Sequence, residues 1–174
     1  GEATFGAGQR AFDISQDGSL LVYVAATEDG PMLALKESNS FESRLLKGTE
    51  GAFYPFFSAD NKWIGYFTRS HLMKVSVSGL SPEMLISTRL PVGGVWMADD
   101  HIIISDLDGA NLIRVPSAGA TKQPEIMPMK SSSYWPSKLP DPEQILLRRS
   151  NGISVYNIKT GQSKRILSEG TTHK

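Results

Sequence analysis

Short apolar runs rich in Val, Ile, Leu, Phe and Tyr alternate with polar turns along this chain. Pairs such as Ser78-Gly79, Asn151-Gly152 and Thr160-Gly161 separate the runs and are typical of hairpin turns. Helical spacing with capping residues is nearly absent. The pattern therefore predicts an all-β chain built from short antiparallel strands.

An acidic turn between two of these runs returns four times, at Asp17, Asp60, Asp99 and Asp141. The intervals are roughly 40 residues, and two further strand-like runs follow in each unit, which is typical of β-propeller blades. Asp can accept hydrogen bonds from the backbone two residues on, so its recurrence favours a turn role over a ring of metal ligands or acid catalysts. We predict one domain, residues 1–174, with blades at about 9–47, 53–87, 93–129 and 134–168.

Four blades can be arranged in three ways: as part of a longer propeller, as a closed four-bladed ring, or as two copies that pair their open edges. An open arc exposes strand edges and blade faces, and both favour association. We expect a partial propeller that associates, in the simplest case as a homodimer that completes the propeller. The closed monomer remains the alternative.

Composition excludes several function classes. The 40% apolar and 21% charged residues are those of a globular protein, and the 18 basic and 18 acidic residues give zero net charge. No basic field attracts nucleic acid or an anionic membrane, and no apolar run reaches the ~20 residues that span a bilayer. There are no cysteines. We therefore expect no nucleic-acid partner and no membrane insertion, and residues 1–10 do not resemble a signal peptide.

Motifs for catalysis or metal binding are weak. Residues 6–11 match Gly-x-Gly-x-x-Ala without the preceding strand that a nucleotide site needs, and residues 106–109 begin like a calcium loop but fit a hairpin turn better. His71, His101 and His173 share no metal-ligand spacing, and no Gly-x-Ser-x-Gly motif is present. We predict no catalytic, cofactor-binding or metal-binding residues.

Aromatic residues cluster just before the acidic turns, where the innermost strand and the loop leading into it are expected near the propeller axis. They could form a channel mouth that binds a peptide or a sugar, or they could pack between blades. The candidate binding surface consists of Tyr54, Phe56, Trp96, Tyr134, Trp135 and Arg69. Weaker candidates for the same mouth are Arg10, Arg89 and Lys138. Residues 124–129 form either an irregular outer strand or a contact patch.

Residues 55–67, Pro-Phe-Phe-Ser-Ala-Asp-Asn-Lys-Trp-Ile-Gly-Tyr-Phe, resemble the PD40 (WD40-like, TolB-type) propeller repeat. Ala59 and Asn61 replace the usual Pro and Gly, and residues 14–23 are also close to the motif. The fourth unit departs most, with Pro140-Asp141-Pro142 at its turn. Residues 46–76 are similar to propellers fused to bacterial serine/threonine kinases and sensor proteins. Such propellers usually have six or more blades.

We predict a non-enzymatic scaffold that binds a protein or peptide, because rigid blades present variable loops and the channel mouth. The resemblance implies that it is a module of a bacterial sensor or envelope protein and favours a periplasmic or extracellular location. One alternative is the accessory propeller of a hydrolase or lyase that controls substrate access. Another is a carbohydrate-binding module that uses Trp96 and Trp135 as stacking platforms.

Overall fold

The computed structural model describes residues 11–89, 91–106, 110–119, 123–129, 132–149 and 152–168. All regular secondary structure in these ranges is β-strand, arranged as four antiparallel sheets in which each strand pairs with its neighbours in the chain. We number the sheets as blades 1 to 4. The predicted all-β propeller architecture is confirmed. No helix in the described ranges is long and apolar enough to cross a membrane.

The strands follow in chain order. Blade 1 contains β1 (Phe12–Ile14), β2 (Leu20–Thr27), β3 (Gly30–Glu37) and β4 (Ser43–Leu45). Blade 2 contains β5 (Phe53–Phe57), β6 (Trp63–Phe67), β7 (His71–Ser76) and β8 (Glu83–Ser87). Blade 3 contains β9 (Pro91–Trp96), β10 (His101–Asp106), β11 (Asn111–Pro116) and β12 (Glu125–Pro128). Blade 4 contains β13 (Ser133–Lys138), β14 (Gln144–Arg149), β15 (Gly152–Asn157) and β16 (Ser163–Ser168).

The first strand of each blade is the innermost. β5 lies between β1 and β9, and β9 also contacts β13, so these four strands line the propeller axis. Because successive strands are antiparallel, the acidic turns all lie at the end of the molecule where the inner strands finish. The opposite end carries the starts of the inner strands and the turns between the second and third strands.

The acidic turns share one hydrogen-bond pattern. In each, a carboxylate oxygen accepts a hydrogen bond from the backbone N–H two residues on. The acceptors are Asp17, Asp60, Asp99 and Asp141, at 3.1, 3.1, 3.2 and 2.9 Å. In the first three turns the next residue has a positive φ, namely Gly18 (73°), Asn61 (59°) and Asp100 (61°). The predicted turn role of these aspartates is confirmed.

A serine closes two of these turns. The hydroxyl of Ser15 donates to Asp17 at 2.6 Å, and its oxygen accepts from the backbone N–H of Leu20 at 2.9 Å. Ser58 makes the same pair of contacts in blade 2. The hydrogen bond from Ser15, followed by those from Ser19, lowers the pKa of Asp17 to about 2. The carboxylate is therefore an integral part of the turn.

Three apolar cores hold the blades together, one between each consecutive pair. Blades 1 and 2 share a core that includes Val22, Leu33, Leu46, Ile64 and Tyr66. Blades 2 and 3 share one that includes Phe56, Phe67, Leu72, Trp96, Ile102 and Ile104. Blades 3 and 4 share one that includes Val95, Met97, Ile103, Ile145, Leu147 and Tyr156. Among the described residues no core of this kind joins blade 4 to blade 1, so the blades form an open arc.

The outward face of blade 1 is apolar. Phe12, Tyr23, Ala34 and Leu45 are cross-strand neighbours and form one row on the face opposite Val22. Phe12 is 55% exposed, and Ile14, two residues on along the same face, is 56% exposed. The outward face of blade 4 is more polar, because Leu146 and Val155 are paired between Ser137 and Lys164 in one row. Each end of the arc therefore has one sheet face that no described blade covers.

Candidate binding site

A cavity of about 240 Å³ lies on the axis, towards the acidic-turn end. All four blades contribute to it through equivalent positions of their inner strands, which are Asp13, Phe56, Val95 and Ser137. Asp13 accepts a hydrogen bond from the backbone N–H of Phe57 at 2.9 Å. Lys138 is exposed as a whole, but partial desolvation lowers the pKa of its ammonium group. The negative charge of Asp13, which lines the same cavity, opposes that shift.

Two predicted site residues, Phe56 and Trp96, are packed in the core between blades 2 and 3. Phe56 is 3% exposed and Trp96 is 2% exposed, although both contribute atoms to the wall of the axial cavity. The ring of Phe56 fits between Gly65 and Gly94, and a Cβ on either glycine would lie less than 3 Å from it. Their role in ligand binding stays a prediction, because most of each ring is covered by protein.

Tyr54 and Trp135 lie at the opposite end, and both have an unusual backbone conformation. Their φ angles are 50° and 46°, in the left-handed region that non-glycine residues seldom adopt. Each lies the same number of residues before its acidic turn, and each interrupts the pairing of its inner strand. Each also precedes a proline, which has no N–H to donate to the sheet. Gly93, at the same repeat position in blade 3, also has a positive φ.

Packing holds these two aromatic rings in place. The Tyr54 ring contacts that of Phe53 edge-on, with centroids 5.2 Å apart. Trp135 packs against Gly93, where an added Cβ would lie 3.3 Å from its Cδ1 atom. The guanidinium of Arg148 lies 4.9 Å from the Trp135 ring centroid, and the Tyr134 ring lies 6.0 Å from it.

Arg69 is exposed in the turn between β6 and β7, at the same end of the molecule. The neighbouring residue Ser70 accepts a backbone hydrogen bond from Thr88 at 2.8 Å. This bond continues the register in which His71 pairs with Ser87. Arg69 itself is in the two-residue turn that is closed by the hydrogen bond from the Thr68 N–H to the His71 carbonyl. We call the surface formed by Tyr54, Tyr134, Trp135 and Arg69 the aromatic rim. Four of the six predicted residues are thus at this rim, and two are in the core between blades 2 and 3. Tyr54 is at the rim and also packs against that core.

The other sequence candidates have structural roles or lie outside the described residues. His71 and His101 are the first residues of β7 and β10, and residues 125–128 form the outer strand β12. Arg10, His173 and residues 107–109 lie outside the described ranges, as does all but the last residue of the 6–11 motif. Within those ranges, no three His, Cys, Asp or Glu side chains are grouped as metal ligands.

The sequence pattern did not predict the left-handed backbone at Tyr54 and Trp135. A signal for it exists in the sequence, because an aromatic residue followed by proline occurs at the same repeat position twice, at 54–55 and 135–136.

No protein-family model and no curated protein matches this chain. Solved structures do match its fold. A candidate TolB from Agrobacterium tumefaciens superposes with a TM-score of 0.78 at 15% identity, over 90% of this chain and 64% of that one. A chain of a nidogen/laminin complex matches with a TM-score of 0.70 at 8% identity, over 87% and 60%. Virginiamycin B lyase from Staphylococcus aureus matches with a TM-score of 0.65 at 10% identity, over 89% and 54%.

In each case this chain spans less than two thirds of the length of the similar structure. These similar structures include a candidate TolB, a chain of a protein complex and a lyase. The similarity therefore indicates the fold of this chain and does not indicate its function. The repeat pattern, the four-stranded blades and the superposition on the candidate TolB agree. The chain has a TolB-like β-propeller fold.

Proposed function

We propose that this chain is a non-enzymatic propeller scaffold that binds a protein or peptide at the aromatic rim. The observation that carries the proposal is the left-handed backbone of Tyr54 and Trp135. For a non-glycine residue this conformation costs about 1–2 kcal/mol, and such strain concentrates at functional sites. Glycine adopts a positive φ freely, and blade 3 has Gly93 at the same position. Two aromatic residues at this position therefore favour a role for their side chains.

The surroundings of the rim fit a polypeptide ligand. Tyr and Trp provide large contact areas with few rotatable bonds and are enriched at the centres of protein interfaces. Arg69 makes no ion pair with a described residue, so its donors are available to a partner's carbonyl or carboxylate groups. The nidogen/laminin structure is a protein complex that includes a propeller of this fold, which supports the same class of function.

The alternatives have weaker support. A sugar platform built on Trp96 and Trp135 would need open ring faces, and Trp96 is almost fully covered. Because one of the similar structures is a lyase, an enzyme-associated role is the second candidate function. In that role the propeller would control substrate access for a catalytic domain encoded elsewhere in the same gene. By the resemblance alone, we propose a sensor or envelope protein exposed to the periplasm or the cell exterior.

The proposal is tested by selecting peptides from a randomised display library against the full chain. We expect the affinities of selected peptides to fall about tenfold or more in Trp135→Ala and Tyr54→Asn, because an interface tends to depend on a few aromatic anchors. Phe41→Ala is the matched control, since Phe41 is a fully exposed aromatic residue outside the rim. Selected peptides that bind both rim variants as tightly as the wild type would contradict the proposal.

We also propose that a second copy of the chain covers the open faces. Leu21 and Tyr23 occupy the repeat positions of Ile64 and Tyr66, which are fully buried against blade 1. The outward face of blade 1 is therefore equivalent to the face of blade 2 that packs on the preceding blade. The outward face of blade 4 is equivalent to the face of blade 3 that packs on the following blade. If blade 1 of one copy packs on blade 4 of the other, the contact has the same form as those between blades within the chain. A two-fold axis between the copies would produce this contact twice.

A further inference from the structure

The axial cavity contains one charged group of each sign. Asp13 belongs to β1 and Lys138 is the last residue of β13, and both line the cavity of about 240 Å³. β1 and β13 are the first and last inner strands of the arc, so the two charges come from blades 1 and 4. None of the other described residues that line the cavity is charged. A ligand in this cavity therefore meets one carboxylate and one ammonium group.

These two groups are close to each other but do not form a direct ion pair. Lys138 makes no hydrogen bond or ion pair with a residue that the structure describes. Partial desolvation lowers the pKa of its ammonium group, and the negative charge of Asp13 opposes that shift. The two groups are therefore near enough to interact and too far apart for a hydrogen bond. The space between them is available to a ligand that contacts both.

The backbone of the neighbouring blade holds the Asp13 carboxylate in position. One oxygen of this carboxylate accepts a hydrogen bond from the backbone N–H of Phe57 at 2.9 Å, which links β1 to β5. A carboxylate has about four lone-pair sites, so this bond leaves capacity to accept a hydrogen bond from a ligand. A side chain that is already fixed loses little conformational entropy on binding. Asp13 is therefore a suitable acceptor for a cationic group of a ligand.

The balance of charge and the shape of the cavity indicate the class of ligand. A simple anion would be attracted by Lys138 and repelled by Asp13, and the reverse holds for a simple cation. A zwitterion interacts favourably with both. The apolar wall includes Ile14, Phe57 and Val95, which suits a short apolar side chain. The cavity volume is that of about eight water molecules, at ~30 Å³ each in the liquid, so the ligand must be small.

We propose that the axial cavity binds a small apolar α-amino acid as its zwitterion. The carboxylate of the ligand accepts a hydrogen bond from Lys138, and its ammonium group donates one to Asp13. Both hydrogen bonds join charged groups, and such bonds are roughly twice as strong as those between neutral groups. The side chain of the ligand contacts Phe57 and Val95. The site lies towards the opposite end of the axis from the aromatic rim, and it does not depend on the proposed peptide binding.

The test uses the full chain and three small probes. These are L-valine, isobutylamine, which lacks the carboxylate of valine, and isovalerate, which lacks its ammonium group. Binding is followed from the backbone amide NMR signals of Phe57 and Ser137 during titration. We expect valine to shift both signals and to bind about tenfold or more tightly than either analogue, because each analogue leaves one charged group of the cavity without a partner.

Variants of the two charged residues should change the order in which the analogues bind. Lys138→Gln should lower the affinity for valine about tenfold or more and make isobutylamine the tighter of the two analogues. Asp13→Asn keeps an oxygen that can accept the hydrogen bond from Phe57, so the link between blades 1 and 2 is preserved. It should also lower the affinity for valine and make isovalerate the tighter analogue. A purely structural role for either residue would not produce these opposite preferences.

The matched control is Lys62→Gln, which removes an exposed lysine from the acidic turn of blade 2, at the same end of the molecule but outside the cavity. It should leave the titration unchanged. Unshifted Phe57 and Ser137 signals, or equal binding of valine and either analogue, would overturn the proposal. Variants of Asp13 and Lys138 that weaken all three probes alike would also overturn it, since the two charges would then not select the ligand.

Discussion

The ring of Phe56 occupies the space that a side chain at Gly65 would need. A Cβ atom built on Gly65 would lie 2.3 Å from Cε2 of Phe56, closer than any real contact between carbon atoms. Gly94, on the inner strand of the next blade, encloses the same ring from the other side at 2.8 Å. Neither glycine has a positive φ. They are therefore required by close packing between blades 2 and 3, not by backbone conformation.

We expect Gly65→Ala to lower the free energy of unfolding by about 1–3 kcal/mol, because the added methyl group must displace the buried Phe56 ring. Chemical denaturation measures the change. The paired variant Phe56→Leu in the Gly65→Ala background should recover part of the loss, since the smaller side chain leaves room for the methyl group. Purely additive losses would show that the two residues are not coupled.

The Ser15→Ala substitution should raise the pKa of Asp17 from about 2 towards its usual value of 3.8, because the main hydrogen bond to the carboxylate is lost. NMR titration of the carboxyl carbon gives this value directly. Ser58→Ala, which acts on the equivalent turn in blade 2, should leave Asp17 unchanged. An unchanged Asp17 pKa in Ser15→Ala would show that the hydroxyl does not stabilise the charge.

The same shift predicts the pH dependence of stability. The pKa of Asp17 is lower in the folded chain than in the unfolded chain, so its stabilising effect is fully present above pH 3.8. It is lost as the pH falls towards 2. Wild type should therefore be more stable than Ser15→Ala at pH 5, and the part of that difference due to ionisation should vanish near pH 2. Denaturation across this pH range checks the sign.

Tyr54 provides a test of the backbone strain at the aromatic rim. Tyr54→Asn and Tyr54→Val both remove the ring, but Asn tolerates the left-handed region and β-branched Val does not. We expect Tyr54→Val to be less stable than Tyr54→Asn by about 1–2 kcal/mol, as measured by thermal and chemical unfolding. Equal stabilities would mean that residue 54 relaxes to an ordinary strand conformation once the ring is gone.

The apolar face of blade 1 predicts self-association. Light scattering on a size-exclusion column should give twice the chain mass at high concentration. Tyr23→Glu should shift the protein to the monomer, because the charge lies at the centre of the proposed contact. Asn39→Glu adds the same charge to an exposed turn of the same blade and should leave the dimer intact. A monomer at all concentrations in the wild type would contradict the dimer.

The features that were predicted correctly from sequence are local ones. The bonds made by Asp17 and the left-handed Asn61 follow from turn chemistry that involves only a few adjacent residues. The repeat of these turns then specifies the sheets and their order. Packing between blades was one of the two interpretations of the aromatic cluster, and Phe56 follows it. The sequence could not decide between them, because the burial of this ring depends on glycines in two other strands. The conformation of Trp135 also escaped prediction, since the alternating pattern of a strand assumes regular pairing throughout.

The four blades share three inter-blade cores, so the blades differ in how strongly their neighbours stabilise them. Blades 2 and 3 are each supported on both sides, whereas blades 1 and 4 each have one neighbour. In such a linear array, stability is a sum of nearest-neighbour contributions, so unfolding begins at the ends and spreads inward. Amide hydrogens of β6 and β10 should be the slowest to exchange with solvent. A partner that covers the outward faces of blades 1 and 4 would slow unfolding from those ends. The lifetime of the folded chain would then depend on how fully that partner is bound.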